Sequence, residues 1–187
     1  MQDFNAKVVV ITGGATGIGF AFAKQFAQHG ARIILAARRR ERLDEAAAIL
    51  AASGTEVRVF ECDVTQRGQV EALADFAWGE FGRADAIVNN AGVLPTLSTV
   101  IETSMDEVQR VFDVDFFGVW NGVSVFGQRF IAQRTPAAIY NVGSENCFFN
   151  AVPSMSKRKG ERYGNKTKIH KYRSFRSCRN CCYLNIV

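Results

Sequence analysis

Short apolar runs alternate along the first 144 residues with longer segments whose apolar residues recur at helical spacing. The runs occupy residues 7–11, 31–37, 56–61, 86–92 and 137–144. The helical segments between them are 18–29, 40–52, 69–81 and a long stretch opened by a Ser104 to Glu107 capping box. Because the runs are apolar along their whole length and alternate with helices, they predict a parallel sheet covered on both faces, an α/β doubly wound fold.

The first run leads into a glycine-rich turn, residues 12–19, which reads TGGATGIG. Gly13 permits a sharp turn, Gly17 allows a diphosphate to approach the backbone, and Gly19 allows the following helix to pack close to the strand. The helix start also offers N–H groups and a partial positive charge to phosphates. Glycines can be merely structural in such a turn, but the strand-to-helix context favours a dinucleotide site.

The turn resembles the glycine loop of the short-chain dehydrogenase/reductase family, as do Asp63-Val64 after the third strand and Asn89-Asn90-Ala91-Gly92 after the fourth. The resemblance covers residues 5–156 and implies a Rossmann-type domain, incomplete at its C-terminal side. It also implies hydride transfer between a nicotinamide nucleotide and a small-molecule alcohol or ketone. The expected cofactor-binding residues are Gly13, Thr16, Gly17, Ile18, Gly19, Arg38, Asp63, Val64, Asn90, Ala91 and Gly92.

The residues after the second strand bear on the choice of nucleotide. A carboxylate there would accept a hydrogen bond from the ribose 2′-OH of NAD, whereas a guanidinium would pair with the 2′-phosphate of NADP. Ala37 stands where NAD-preferring relatives place an aspartate, and Arg38 follows it. The sequence therefore favours NADP(H) over NAD, with a solvated helix start as the alternative role of these arginines.

The catalytic residues that the resemblance implies are only partly present. Ser144 matches the serine that positions the substrate oxygen, and the proton-exchanging tyrosine of Tyr-x-x-x-Lys is expected at position 157 or 158. Lys157 and Arg158 stand there, and Asp115 replaces the asparagine that supports the proton path in relatives. We therefore expect a chain that binds nucleotide but has impaired catalysis.

The charge of the chain changes abruptly after Ser156. Residues 1–156 carry 13 basic and 17 acidic side chains, whereas residues 157–187 carry ten basic and one acidic. We therefore expect a nucleotide-binding domain over residues 1–156 and a basic, disordered or aberrant tail over 157–187, as truncation or a frame shift would produce. The alternative is a non-catalytic nucleotide-binding or interaction protein whose tail recruits an anionic partner; nucleic acid is disfavoured, since like-charge blocks are typical of solvated disorder.

The remaining signals concern environment and assembly. Residues 1–5 lack the basic and apolar regions of a signal peptide, and the longest uncharged apolar stretch is too short to span a bilayer, so we expect a cytoplasmic protein without membrane contact. Cys62 and Cys147 are predicted to be buried, and Cys178, Cys181 and Cys182 lack the second half of a metal site. A homo-oligomer is expected from the family, but the helix that would follow the long one is missing, which also predicts an open edge on the fifth strand and an uncovered apolar helix face.

Overall fold

The protein is described here from a computed structural model, which covers residues 4–96 and 101–143 and the backbone of 182–186. The strands are β1 Val8–Thr12, β2 Arg32–Ala37, β3 Val57–Glu61, β4 Ala86–Asn89, β5 Ala138–Val142 and β6 Cys182–Ile186. The helices are α1 Gly17–Gln28, α2 Arg40–Ala52, α3 Arg67–Phe81, α4 Met105–Phe112 and α5 Val119–Gln133, with a π-helical segment, Asp113–Gly118, between the last two.

The first five strands form a parallel sheet in the order β3-β2-β1-β4-β5. β1 is central, with Val10 paired to Ile34 of β2 on one side and to Ile87 of β4 on the other. The chain winds outward from β1 in both directions, so the carboxyl ends of β1 and β4 are neighbours at the point where the strand order reverses. The predicted doubly wound parallel sheet is confirmed.

Two apolar cores cover the two faces of the sheet, because neighbouring residues of a strand point to opposite faces. Val8 and Val10 face a core that includes Val70 and Phe126 of the helices α3 and α5. Val9 and Ile11 face a second core, which contains buried residues of α1 and α2, among them Ala23, Leu43 and Leu50. Helices on both faces explain why the strands are apolar along their length.

The long helical stretch is present, but it is not a regular α-helix throughout. The Ser104 hydroxyl caps α4 by accepting the Glu107 N–H at 3.2 Å, so half of the predicted capping box forms. One side of the stretch is uncovered by the described residues: Phe112, Phe116 and Trp120 are 54%, 56% and 62% exposed. In residues 4–96 and 101–143, none of the helices has the length and apolarity needed to cross a membrane.

The edge of β5 differs from the expectation of an open strand. β6 pairs with it in antiparallel orientation, with Val142 opposite Cys182 and Ala138 opposite Ile186. Main-chain pairing can be satisfied by any extended segment, so the composition of the basic tail gave no signal for this strand. The expectation of an uncovered β5 edge is therefore wrong, while the division of the chain at residue 156 stays a prediction.

Phe126 tests the packing of α5 on the sheet. It is fully buried and its ring centroid lies 6.1 Å from that of Trp78 and 6.0 Å from that of Phe130. We expect Phe126→Ala to lower the free energy of unfolding by roughly 3–5 kcal/mol, because it leaves a cavity in the core. Urea denaturation followed by circular dichroism measures this.

Ile131→Ala on the same helix is the control, since Ile131 is 70% exposed. It should change the free energy of unfolding by less than about 0.5 kcal/mol. Equal effects of the two substitutions would show that α5 does not pack as described.

Candidate functional site

A cleft of about 350 Å³ lies at the carboxyl ends of β1 and β4. Nine of the eleven residues predicted to bind a cofactor line it: Gly13, Thr16, Ile18, Arg38, Asp63, Val64, Asn90, Ala91 and Gly92. Gly17 and Gly19 belong to the same turn but are not among its lining residues. The four sequence segments that carry these residues, 13–18, 38, 63–64 and 90–92, are therefore brought together, although they are far apart in the chain.

The glycine turn has a backbone that depends on the absence of side chains. Gly13 and Gly17 have φ values of +63° and +57°, in the left-handed region that glycine adopts without strain. A Cβ atom added to Gly17 would meet no atom within 4 Å, so the backbone there is open to an approaching ligand. At Gly19 an added Cβ would lie less than 3.0 Å from the Asn90 amide and the Gly13 carbonyl, so this position needs glycine for close packing.

The start of α1 is free to receive an anion. Thr16 precedes the helix in an extended conformation, and its side chain makes no capping hydrogen bond. The first turn contains no acidic residue that would compete with a phosphate. Since the first N–H groups of a helix have no partner inside the helix, this end presents unpaired donors and the positive end of the helix dipole.

A buried hydroxyl joins the glycine turn to the segment after β4. Thr12 Oγ1 donates to the Val88 carbonyl at 3.3 Å and accepts the N–H groups of Asn90 and Ala91 at 3.0 and 3.1 Å. The Asn90 amide donates in return to the carbonyls of Thr12 and Gly13 at 3.0 and 3.2 Å. These bonds draw Asn90 and Ala91 out of the strand ladder, which is why β4 ends at Asn89 instead of continuing to Gly92.

Arginines surround the end of the cleft beside β2. Arg38 and Arg39 are exposed, and neither forms an ion pair with any residue in the described part of the chain. Arg42 also lines the cleft and is held by Glu45 at 2.9 Å. Sequence reasoning found Arg38 and missed Arg39 and Arg42. The available signal was their position, since Arg39 directly follows Arg38 and Arg42 lies one helical turn after Arg39, in the first turn of α2.

The floor beside β3 is built from residues 62–64. The Asp63 carboxylate is oriented by the N–H and the hydroxyl of Thr65, at 3.0 and 2.9 Å. Asn121, which is buried in α5, donates to the Val64 carbonyl at 2.9 Å and was not predicted. Cys62 is buried as predicted, and burial, followed by the charge of Asp63, raises the pKa of its thiol to about 12. The thiol therefore stays protonated near neutral pH and is not a nucleophile.

The described residues contain no side chain placed to act as the missing general acid. Ser144 and positions 157 and 158 lie outside the described residues. Tyr140 lies in β5 with its ring 6.3 Å from that of Phe26, and burial raises its pKa, the opposite of what an activated phenol needs. Asp115, which stands where relatives have an asparagine, accepts the Val93 N–H at 2.8 Å. An ionised carboxylate can accept such a hydrogen bond but has no proton to donate.

Comparison with known proteins agrees with this geometry. The short chain dehydrogenase family model matches residues 7–157. An uncharacterised oxidoreductase of Listeria innocua is 38% identical over 129 residues, which are 69% of this chain and 52% of that protein. The C alpha-dehydrogenase of Sphingobium sp. is 33% identical over 152 residues, 81% of this chain and 50% of that protein.

Solved structures give the same result. A short-chain dehydrogenase/reductase of Burkholderia phymatum in complex with NAD is 38% identical, with a TM-score of 0.74 over 77% of this chain and 51% of that one. The chain belongs to the short-chain dehydrogenase/reductase family. It spans about half the length of the curated relatives it matches.

Thr12 can be tested directly as the link between the two sides of the cleft. We expect Thr12→Val to lower the free energy of unfolding by about 1–3 kcal/mol, because two backbone N–H groups lose their acceptor. Thr12→Ser is the control, since it keeps the hydroxyl oxygen and should retain most of the stability. Denaturant unfolding measures both, and a Thr12→Val chain as stable as the Thr12→Ser chain would contradict the described hydrogen bonds.

Proposed function

We propose that the cleft binds NADP(H) and that the chain derives from an oxidoreductase acting on an alcohol or carbonyl compound. The observation that carries the proposal is the position of Arg38, beside a cleft formed by the glycine turn and the segment after β4. Nucleotides bind at the carboxyl ends of strands where the strand order reverses, and this cleft occupies that position.

Each part of the cleft suits one part of the nucleotide. Asp63 and Val64 would hold the adenine side, and the uncapped start of α1 would hold the diphosphate near the open backbone of Gly17. Asn90, Ala91 and Gly92 would border the nicotinamide side. When bound, the nicotinamide supplies or accepts a hydride; the residues named here bind and orient it.

The preference for NADP rests on charge. The Burkholderia neighbour was solved with NAD, which supports a nicotinamide dinucleotide as the ligand. The choice between NAD and NADP depends on the group at the ribose 2′ position. Arg38 and Arg39 offer guanidinium donors without an ion pair among the described residues, and Arg42 adds a third cation. Guanidinium groups pair bidentately with phosphate. The residues at the end of β2, Ala37 and Arg38, include no carboxylate that could accept a hydrogen bond from a ribose hydroxyl.

We further propose that catalysis by this chain is impaired. The sequence contains no Tyr-x-x-x-Lys pair after Ser144, because Tyr163, Tyr172 and Tyr183 are followed four residues later by Thr167, Arg176 and Val187. Ser144 would still position a substrate oxygen, but no phenol with a lysine partner is available to exchange its proton.

The second candidate function is a non-catalytic nucleotide-binding or interaction protein, and the observation that favours it is the concentration of ten basic residues in 157–187. Such a segment would attract an anionic partner in a salt-dependent way.

Self-association is expected from the family, and the exposed apolar residues of α4 and α5 support it. A cytoplasmic location stays a prediction.

Nucleotide choice is tested by titrating the purified chain with NADPH and NADH. We expect NADPH to bind more tightly, and Arg38→Ala to weaken NADPH binding about tenfold while leaving NADH binding nearly unchanged, because one charge-assisted contact to phosphate is lost. Arg40→Ala is the matched control, since Arg40 lies two residues after Arg38, pairs with Asp44 at 3.0 Å and does not line the cleft. NADH binding as tight as NADPH binding would reject the preference.

Catalysis is tested by following NADPH oxidation with a panel of carbonyl substrates. The missing general acid should reduce turnover by about 10²- to 10⁴-fold relative to a family member that carries the pair. Turnover within tenfold of such a relative would contradict impaired catalysis, and salt-sensitive binding to a polyanion without turnover would favour the second candidate.

A further inference from the structure

The segment after β4 is held in two places. Asn90 and Ala91 are fixed by Thr12, as described above, whereas residues 93–96 are fixed from the opposite side by the α4 helix and the π-helical segment. Val93 is half-buried and lines the cleft, while Leu94 is 87% exposed. Because residues 94–96 bury so little apolar surface, polar contacts and not packing determine where this segment lies.

Glu107 and Arg110 supply most of these contacts. The Glu107 carboxylate accepts the Thr96 N–H at 2.7 Å and the Thr96 hydroxyl at 3.2 Å. The Arg110 guanidinium donates to the Leu94 carbonyl at 2.9 Å and binds Glu107 through two hydrogen bonds of 2.8 Å. Asp115 adds the bond to the Val93 N–H at 2.8 Å.

The Glu107–Arg110 ion pair differs from other surface ion pairs within α-helices, because its side chains also bond the main chain of a distant segment. Arg40–Asp44 and Arg42–Glu45 join side chains of the same helix. Glu107 and Arg110 also share a helix, but they bond the main chain of a segment 11 and 16 residues earlier. Since the Glu107 side chain is used in this way, it does not close the capping box that the sequence predicts with Ser104.

The segment lies on the side of the cleft away from the arginines. Arg38 follows β2, whereas residues 93–96 follow β4, and β1 with the glycine turn lies between these strands. If the ribose 2′-phosphate is at Arg38 and the diphosphate at the glycine turn, the nicotinamide half extends toward Gly92 and Val93. This step rests on the proposed nucleotide site.

We propose that Glu107 and Arg110 are positioning residues for the nicotinamide half of the dinucleotide, because they hold the main chain of Leu94 and Thr96. Together with the Asp115 bond to the Val93 N–H, these contacts keep Val93 in the wall of the cleft. They do not touch the nucleotide themselves. Their effect is expected on ligands that reach beyond the diphosphate and not on ligands that occupy only the adenosine side.

The charge state of the pair supports this role at ordinary pH. The hydrogen bond from Arg110, followed by the Thr96 N–H, lowers the pKa of Glu107 to about 2. A carboxylate with a lowered pKa keeps its stabilising contacts above its unfolded-state pKa and loses them only as the pH falls toward the lowered value. Asp115 and Asp113 are the other charged groups of the π-helical segment; Asp115 further favours the protonated form of Arg110.

The test uses two ligands on the full chain: NADPH, and adenosine 2′,5′-bisphosphate, which lacks the nicotinamide half. We expect Arg110→Ala to weaken NADPH binding about five- to tenfold, since the Leu94 contact and the partner of Glu107 are lost. Binding of the bisphosphate should change less than about twofold. Isothermal titration calorimetry gives both dissociation constants.

Two further variants complete the design. Glu107→Gln removes the charge that holds Arg110 but keeps an oxygen that accepts the Thr96 N–H, so it should weaken NADPH binding in the same direction and less. Arg129→Ala is the control, because Arg129 forms an exposed ion pair with Asp75 that bridges α5 and α3 away from the cleft. It should leave both dissociation constants unchanged.

The possible outcomes separate this inference from the proposed function. Equal weakening of both ligands by Arg110→Ala would overturn the positioning role, because it would indicate general destabilisation of the site. Unchanged NADPH binding in both Arg110→Ala and Glu107→Gln would also overturn it. Failure of the wild-type chain to bind either ligand would instead reject the nucleotide site on which the inference rests.

Discussion

The site depends on one buried hydroxyl between two strands. Thr12 ends β1, and its oxygen bonds three backbone groups of residues 88–91, so the glycine turn and the segment after β4 cannot move independently. The Asn90 amide closes the connection by bonding back to the turn, and it fills the space where a side chain at Gly19 would be. Turn, helix start and β4 exit therefore form one unit, which explains why Thr12, Gly13, Gly19 and Asn90 are needed together.

The fold and most of the cleft could be predicted from the sequence because both follow from local patterns. Continuous apolar runs indicate buried parallel strands, and the carboxyl ends of such strands meet by topology, which places Gly13, Asp63 and Asn90 together without any knowledge of side-chain contacts. Contacts that depend on a particular rotamer could not be predicted. Glu107 matched a capping box by spacing, yet its carboxylate bonds Thr96 and Arg110, and nothing in the spacing distinguishes these uses.

The contact made by Asn121 could not be predicted from the sequence either. Within α5 it is one polar residue among apolar ones, and its contact with the Val64 carbonyl joins residues 57 positions apart. β6 was missed for a related reason, since a strand at a sheet edge is recognised by main-chain hydrogen bonds, and the sequence of residues 157–187 lacks the apolar periodicity that would mark an element of a βαβ unit. Long-range polar contacts and edge pairing are therefore the parts of this structure that need coordinates.

The charge beside the cleft differs in sign from the net charge of the domain around it. Residues 1–156 carry more acidic than basic side chains, so Arg38, Arg39 and Arg42 form a small cationic area on a body that is negative as a whole. At physiological ionic strength charges are screened beyond about 8 Å, so a phosphate in the cleft would be attracted by these neighbouring side chains and not by the net charge. The overall charge of +5 describes residues 157–187 and says little about the cleft.

The pairing of β6 with β5 has a consequence for aggregation of this protein through its sheet edge. An unpaired parallel strand at a sheet border offers a row of amides and carbonyls to any extended foreign chain. With β6 in place, that row on β5 is paired with the molecule's own backbone, and the border of the described sheet moves outward to Cys182–Ile186. Fibril-like addition at this side would therefore have to begin on a strand that pairs, among the strands the structure describes, with β5 alone, or to displace that strand.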